Sequence, residues 1–299
     1  MVIGRYQKAI EEATKGQVKI IDFPAATLGK PKEAYELVTS GTADISWGFV
    51  GFFPGQFPMT DVPTLPLLGG KSGVQVSRVY WNLYEKFPKA FEREYSEVKL
   101  LALHSTGVIP TSTISTPIQT LQGFKGMKVR TPAGPPTEMM KALGATPMTI
   151  SVRDIYSSLE KGVVEGCNFG IMAVRDFKLH EILNYFHDTR LYATGFWVAM
   201  NKNVWKSLPK DIQQQIMGVS GMKAAVQLGS GWDEIGDSAW EFIKGLSGKK
   251  IITYADEDRK TWSAHAKPIW EAHVKKLEAK GLPGREVLEY TKKLMEEID

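Results

Sequence analysis

A chain of 299 residues is long enough for two domains, and its 43% apolar content argues against disorder. Net charge is +4, and its 37 Lys and Arg never form a run of five, which excludes the clustered basic stripe of a nucleic-acid binder. Cys167 is the only cysteine, so no intrachain disulfide forms, and no apolar run approaches the roughly 18 residues of a membrane span.

The chain starts Met1-Val2-Ile3-Gly4 with no visible signal peptide and enters a helical pattern over 5–14, with Tyr6, Ile10 and Ala13 on one side and Gly16 as a stop. Val18-Lys19-Ile20 alternates as a strand. Pro31 opens a helix over 33–39, closed by Gly41, and 43–47 is a short strand. An aromatic, glycine-rich loop follows from Gly48 to Gly55 and continues over 59–68 with Pro63 and Pro66; loops this long are often functional. Val76, Val79, Tyr80 and Leu83 make 74–87 an amphipathic helix. Strands are expected over 98–103, 109–116, 125–131 and 146–150. Ser151 with Asp154 reads as a capping box for a helix reaching Lys161. A strand over 163–166, two mixed helical stretches and a strand over 196–200 come next. Asn201 caps a short helix, Pro209 restarts a helical region to Leu246, 251–254 is a strand, and the chain is helical from Asp256. Strands alternating with helices give an α/β class. No low-complexity linker divides the chain, so two domains require several crossings, expected near 105–107, at Gly195 and within 229–236.

The stretch Gly126-Met127-Lys128-Val129-Arg130-Thr131-Pro132-Ala133-Gly134-Pro135-Pro136 carries the most chemical information. It reads as a short strand ending on an arginine and turning into a helix over 137–143, with Lys128 and Arg130 on one face. A guanidinium offers two parallel donors to one carboxylate, and a helix amino terminus adds free N–H groups and partial positive charge. The expectation is a site for small organic acids. On spacing alone, a strand-end arginine is more often the partner of an acidic residue of its own domain.

Other chemistry is sparse. Aromatics following a strand, as Trp47, Phe49, Phe52 and Phe53 do, are ordinarily core, and the adjacent Phe52 and Phe53 point apart. Arg153 and Asp154 fall on the first turn of a helix, Arg153 solvated and Asp154 capping; Tyr156 points inward. None of the five histidines (His104, His180, His187, His265, His273) is paired at metal-ligand spacing. Gly70-Lys71-Ser72 lacks the glycine five residues upstream that a phosphate loop needs, since Leu65 stands there. No nucleophile elbow or acid/base pair is visible.

The segment from Glu11 to Ile20, then Leu28-Gly29, Gly41-Thr42-Ala43-Asp44-Ile45, Leu65-Pro66, the stretch from Leu121 to Arg130, Leu143-Gly144-Ala145 through Asp154-Ile155-Tyr156, Gly162 to Gly166, and Asn201 with Trp205, Leu208-Pro209 and Asp211 follow one another in an ordered series. In that order and spacing the chain resembles the periplasmic solute-binding proteins of tripartite ATP-independent periplasmic (TRAP) transporters, of the C4-dicarboxylate-binding type. The resemblance implies a two-lobed α/β clamshell of the periplasmic-binding-protein kind, with a long helix spanning both lobes. Lobe I is expected at 1–107 plus 196–235 and lobe II at 108–195 plus 236–299. It implies a monomer in the periplasm that captures an organic acid, closes over it and delivers it to the TRAP membrane permease subunits, with no catalysis and no cofactor. Arg130 stands at the family's carboxylate-binding arginine. The expected cleft adds Trp47, Phe49, Asn168, Phe169, Trp197, Tyr156 and Arg153, with Phe196 as the alternative to Trp197. Phe49 stands where some members have a polar contact, so the expected ligand is a monocarboxylate with an apolar or aromatic body. Three departures accompany the likeness. The family's first strand has no room before the first helix. Pro110 replaces a second arginine of some members, which weakens a C4-dicarboxylate reading. Asn168 stands where some members carry an acidic metal ligand, so no metal is expected. The rival reading is an enzyme on a similar two-lobed scaffold.

Overall fold

The computed structural model describes residues 2–298, and among these the strands are β1 (Ile45–Phe49), β2 (Val98–His104), β3 (Thr111–Thr113), β4 (Lys128–Arg130), β5 (Thr146–Met148), β6 (Gly166–Asn168), β7 (Tyr185–His187), β8 (Phe196–Asn201) and β9 (Lys250–Ile252). The helices are α1 (Val2–Ala13), α2 (Ala34–Thr39), α3 (Gly73–Lys86), α4 (Pro88–Tyr95), α5 (Pro135–Ala142), α6 (Ile155–Glu160), α7 (Ile171–Asp176), α8 (Lys202–Ser207), α9 (Lys210–Val219), α10 (Met222–Lys244), α11 (Asp256–Ala279) and α12 (Gly284–Glu297). Two sheets result, ordered β1-β8-β2 and β5-β4-β6-β3-β7-β9. Each centres one lobe of an α/β clamshell. No helix among the described residues is long and apolar enough to cross a membrane.

Two segments, β2 to β3 and β7 to β8, carry the chain between the sheets. They run side by side: Ile109 donates to the Tyr192 carbonyl at 2.8 Å, Val108 bridges Ala193, and the Thr106 and Thr194 hydroxyls are bonded to each other. α10 is the third link. It packs on α3 and β2 of the first lobe and on α7 of the second. Its Asp233 carboxylate accepts from the backbone N–H groups of Gly73 (2.6 Å) and Val74 (2.9 Å) and so caps α3. At Gly229 the two helices meet backbone to backbone, since a Cβ there would lie 2.7 Å from the Gly73 carbonyl oxygen.

Register fixes which ends of the sheets face each other. Thr111 of β3 lies opposite both Asn168 of β6 and His187 of β7, and Arg130 of β4 lies beside Cys167 in parallel. The carboxyl ends of β4 and β6 therefore share the end of the second sheet at which the chain departs for the first. In the first sheet Phe196 pairs with Phe49 and with His104, next to the same crossings. Arg130 and this aromatic row thus sit on the facing ends of the two lobes, where α/β folds bind ligands.

Several expectations are corrected. Residues 18–20 form no strand and pair with none among the described residues; Val18 and Ile20 lean on the α1 cluster, and the Ile20 N–H is held by the Glu11 carboxylate at 2.8 Å. The strand expected at 163–166 begins three residues later, at Gly166, and ends at Asn168. Gly162, at φ +66°, ends α6 in the left-handed conformation, and Val163 bonds back to the Ser158 carbonyl. Ser151 makes no side-chain capping bond. The helical region from Pro209 is broken at Gly221 (φ +63°) and the C-terminal one at 280–283, around Gly281 (φ +68°) and Pro283. α12 does not belong to the second lobe alone. It packs on α3, where the Gln75 amide donates to the Met295 and Ile298 carbonyls.

Candidate functional site

Arg130 ends β4 with only 6% of its surface exposed. Its Nε donates to the Ile150 carbonyl and its Nη1 to the Asn168 carbonyl, each at 3.2 Å. The guanidinium carbon lies 5.1 Å from the centre of the Phe169 ring, a cation–π contact. No carboxylate pairs with it, and Nη2 makes no hydrogen bond, among the described residues. Burial lowers its pKa, while Tyr192 and Cys167 nearby act in the opposite sense. A buried cation held by carbonyls and a ring alone is costly to maintain. A carboxylate ligand would remove that cost and take two charge-assisted bonds. Two further polar atoms next to it in sequence or space, Asn168 Nδ2 and Thr131 Oγ1, are buried without partners, while Asn168 Oδ1 accepts from the Thr111 hydroxyl at 2.8 Å.

The expected help from a helix terminus is corrected. α5 begins with Pro135 and Pro136, which carry no N–H, and the next two N–H groups, of Thr137 and Glu138, already donate to the Gly134 carbonyl. The positive charge at this end belongs to Arg130 itself.

Across from it, alternation on β1 sends Trp47 and Phe49 to one face and Gly48 to the other. Trp47 is 39% exposed, with its ring centre 5.0 Å from that of Phe196 and nearly parallel to it. Phe49 meets Phe196 at 5.2 Å and Phe52 edge-on at 5.1 Å. Phe53 turns into the core, as adjacent residues pointing apart must. Trp47 Nε1 donates to His104 Nε2 at 2.9 Å, and Trp232 of α10 flanks Trp47 and Phe196 with ring centres at 6.4 and 6.3 Å. The row formed by Trp47, Phe49, Phe196 and Trp232 is therefore aromatic and itself carries no charge. Burial pushes the His104 pKa down to about 3.

Three expected site residues lie elsewhere. Trp197 is 0% exposed and fills the core beneath β1 against Tyr35, Phe53 and Phe57; Phe196, the next residue and hence the opposite face, takes the cleft position. Tyr156 packs on the core of the second lobe and its hydroxyl donates to Glu181 at 2.9 Å on the exposed side. Arg153 is exposed and bonds to nothing among the described residues. Arg130, Asn168 and Phe169 are in mutual contact, and Trp47 and Phe49 join through Phe196. Sequence reasoning missed His104, Trp232 and Tyr192. His104 stands at the end of β2, and that position was the usable signal for it.

The sequence profile of bacterial extracellular solute-binding protein, family 7, matches residues 3–277. Among solved structures, a TRAP periplasmic solute-binding protein from Desulfovibrio salexigens, an open complex, superimposes with TM-score 0.90 at 28% identity, covering 98% of this chain and 90% of that one. A Bordetella bronchiseptica TRAP solute-binding protein with bound (R)- and (S)-mandelate gives 0.87 at 25% identity over 99% and 94%. A Rhodoferax ferrireducens TRAP solute-binding protein with copurified benzoate gives 0.85 at 25% over 98% and 92%.

Proposed function

Because the chain belongs to the TRAP transporter solute-binding proteins, bacterial extracellular solute-binding protein family 7, we propose that it captures a monocarboxylate with an aromatic body in the periplasm and hands it to a membrane permease. The observation that carries this reading is the buried Arg130 guanidinium without an acidic partner, at the lobe end that faces Trp47, Phe49 and Phe196. The arginine takes the carboxylate, Phe169 holds the guanidinium from its ring face, and the aromatic row opposite takes the body of the acid. A second carboxylate would meet no cation in that row, which disfavours C4-dicarboxylates. Mandelate and benzoate in two similar proteins support the same class. Closure by rotation about the paired crossing segments would shut the ligand in.

Calorimetry tests this with benzoate, mandelate, cyclohexanecarboxylate and succinate against the wild-type protein and Arg130→Ala. Binding of an aromatic monocarboxylate, weakened at least tenfold in Arg130→Ala, is expected, because a charge-assisted bond is worth about 1.5–3 kcal/mol. Preference for succinate, or unchanged affinity in the variant, would overturn the proposal.

A further inference from the structure

The Trp47–His104 contact has an unusual shape. The two rings are parallel to within 7°, yet their centres are 6.3 Å apart and a 2.9 Å N–H···N bond joins their edges. Parallel rings bonded edge to edge lie side by side as one slab. β8 runs between β1 and β2, so the slab bridges over the middle strand, and the Phe196 ring stacks on both halves, at 5.0 Å from Trp47 and 5.3 Å from His104 with tilts of 7° and 13°. An indole N–H only donates, so His104 Nε2 is bare and the single imidazole proton sits on Nδ1. His104 is 0% exposed, and burial disfavours its cationic form, which keeps the acceptor available. Trp47, in contrast, is 39% exposed. A half-exposed indole on a strand end would ordinarily sample several χ2 settings; this one is fixed at its N–H edge and along one face.

We propose that His104 is a positioning residue that holds the Trp47 indole flat at the cleft, so that the site favours planar aromatic acids over puckered ones of the same size. The inference rests on the aromatic-monocarboxylate reading above and adds what sets the ring preference. His104 does not touch the ligand; it acts through Trp47. A rigid flat face offers its full area to a planar ring, whereas a mobile indole adapts equally to a cyclohexane chair.

The test compares benzoate with cyclohexanecarboxylate, which share the carboxylate and the carbon count. The wild-type protein is expected to prefer benzoate by about two- to tenfold, the range of an aromatic pair beyond simple burial. His104→Leu removes the acceptor and is expected to bring the ratio close to one. His104→Gln, whose amide oxygen can accept the indole N–H, is expected to keep most of the preference. In the ligand-free protein, the Trp47 indole proton observed by 15N NMR is expected to be protected from solvent exchange and to lose that protection in His104→Leu. A folded His104→Leu with the wild-type ratio, a wild-type ratio of one, or a freely exchanging Trp47 indole in the wild-type protein each overturns the proposal. Arg130→Ala separates the two failures: if carboxylate binding still depends on Arg130, the functional reading stands while the His104 inference falls.

Discussion

Glu94 gives a pH dependence that can be worked from the structure. It sits on α4 with 6% exposure and accepts from the Met59 N–H, the Thr60 N–H (3.2 Å) and the Thr60 hydroxyl (2.6 Å), with no cation paired to it among the described residues. Burial pushes its pKa up to about 8, and that of neighbouring Asp61 up to about 7. An acid whose folded pKa is raised contributes stability that is complete below its unfolded pKa and is lost as pH rises through the folded value. His104 and His187 act oppositely: burial lowers them to about 3 and about 4, so they withdraw stability as pH falls below about 6.5. Between pH 4.5 and 6.5 the two classes largely cancel. From pH 6.5 to 8 only the acids act, and at about 1.4 kcal/mol per pH step Glu94 alone removes roughly 2 kcal/mol. Urea unfolding across pH 6–9 should show that decline in the midpoint at constant m-value. Glu94→Gln, which sacrifices one of three accepted bonds, should start about 1 kcal/mol lower at pH 6 and fall more gently. A wild-type stability flat or rising over this window, or an unchanged slope in Glu94→Gln, would refute the reasoning.

Four substitutions probe packing and the hinge. Gly48→Ala places a Cβ 2.2 and 2.4 Å from two Trp197 ring atoms, so thermal unfolding should show a loss of about 1–3 kcal/mol or more. Tyr80→Phe removes a fully buried hydroxyl without a partner and should leave Tm unchanged or raised. The same change should soften Gly195→Ala, whose Cβ would lie 2.2 Å from that hydroxyl. Asp233→Ala leaves the Gly73 and Val74 N–H groups without their acceptor and removes one tie between α3 and α10, while the Ser72 cap and the Gly229 contact remain, at a cost of about 1–2 kcal/mol measured by chemical unfolding.

The parts of this molecule readable in the sequence were those governed by local rules. Period and punctuation located α3, β2, β4, α5 and the Asn201 cap, whose Oδ1 accepts from the Asn203 and Val204 N–H groups. That Arg130 ends a strand was legible from the breakers Pro132 and Gly134; what it binds was not, because spacing alone favours an acidic partner in its own domain and only the family resemblance points to a carboxylate ligand. What escaped depends on tertiary partners. β7 is three residues long and reads as nothing alone; it exists because β3 and β9 flank it. The choice between Phe196 and Trp197 is a question of strand parity, and a one-residue slip exchanges the faces. The bulge in β2 between Leu100 and Ala102 shifts the phase of His104 in the same way, so alternation from the strand's start misplaces it. The free N–H groups expected at α5 were a misreading of Pro135 and Pro136, which start helices well but donate nothing.

The role proposed for Arg130 is to receive the carboxylate of an aromatic acid between the lobes. A crystal structure of the protein with a tightly bound acid, copurified or added, tests it most directly. A carboxylate oxygen is expected about 2.7–2.9 Å from Arg130 Nη2, with the ring of the acid against Trp47 and Phe49. A structure in which the acid is bound while Arg130 keeps only the Ile150 and Asn168 carbonyls would contradict it.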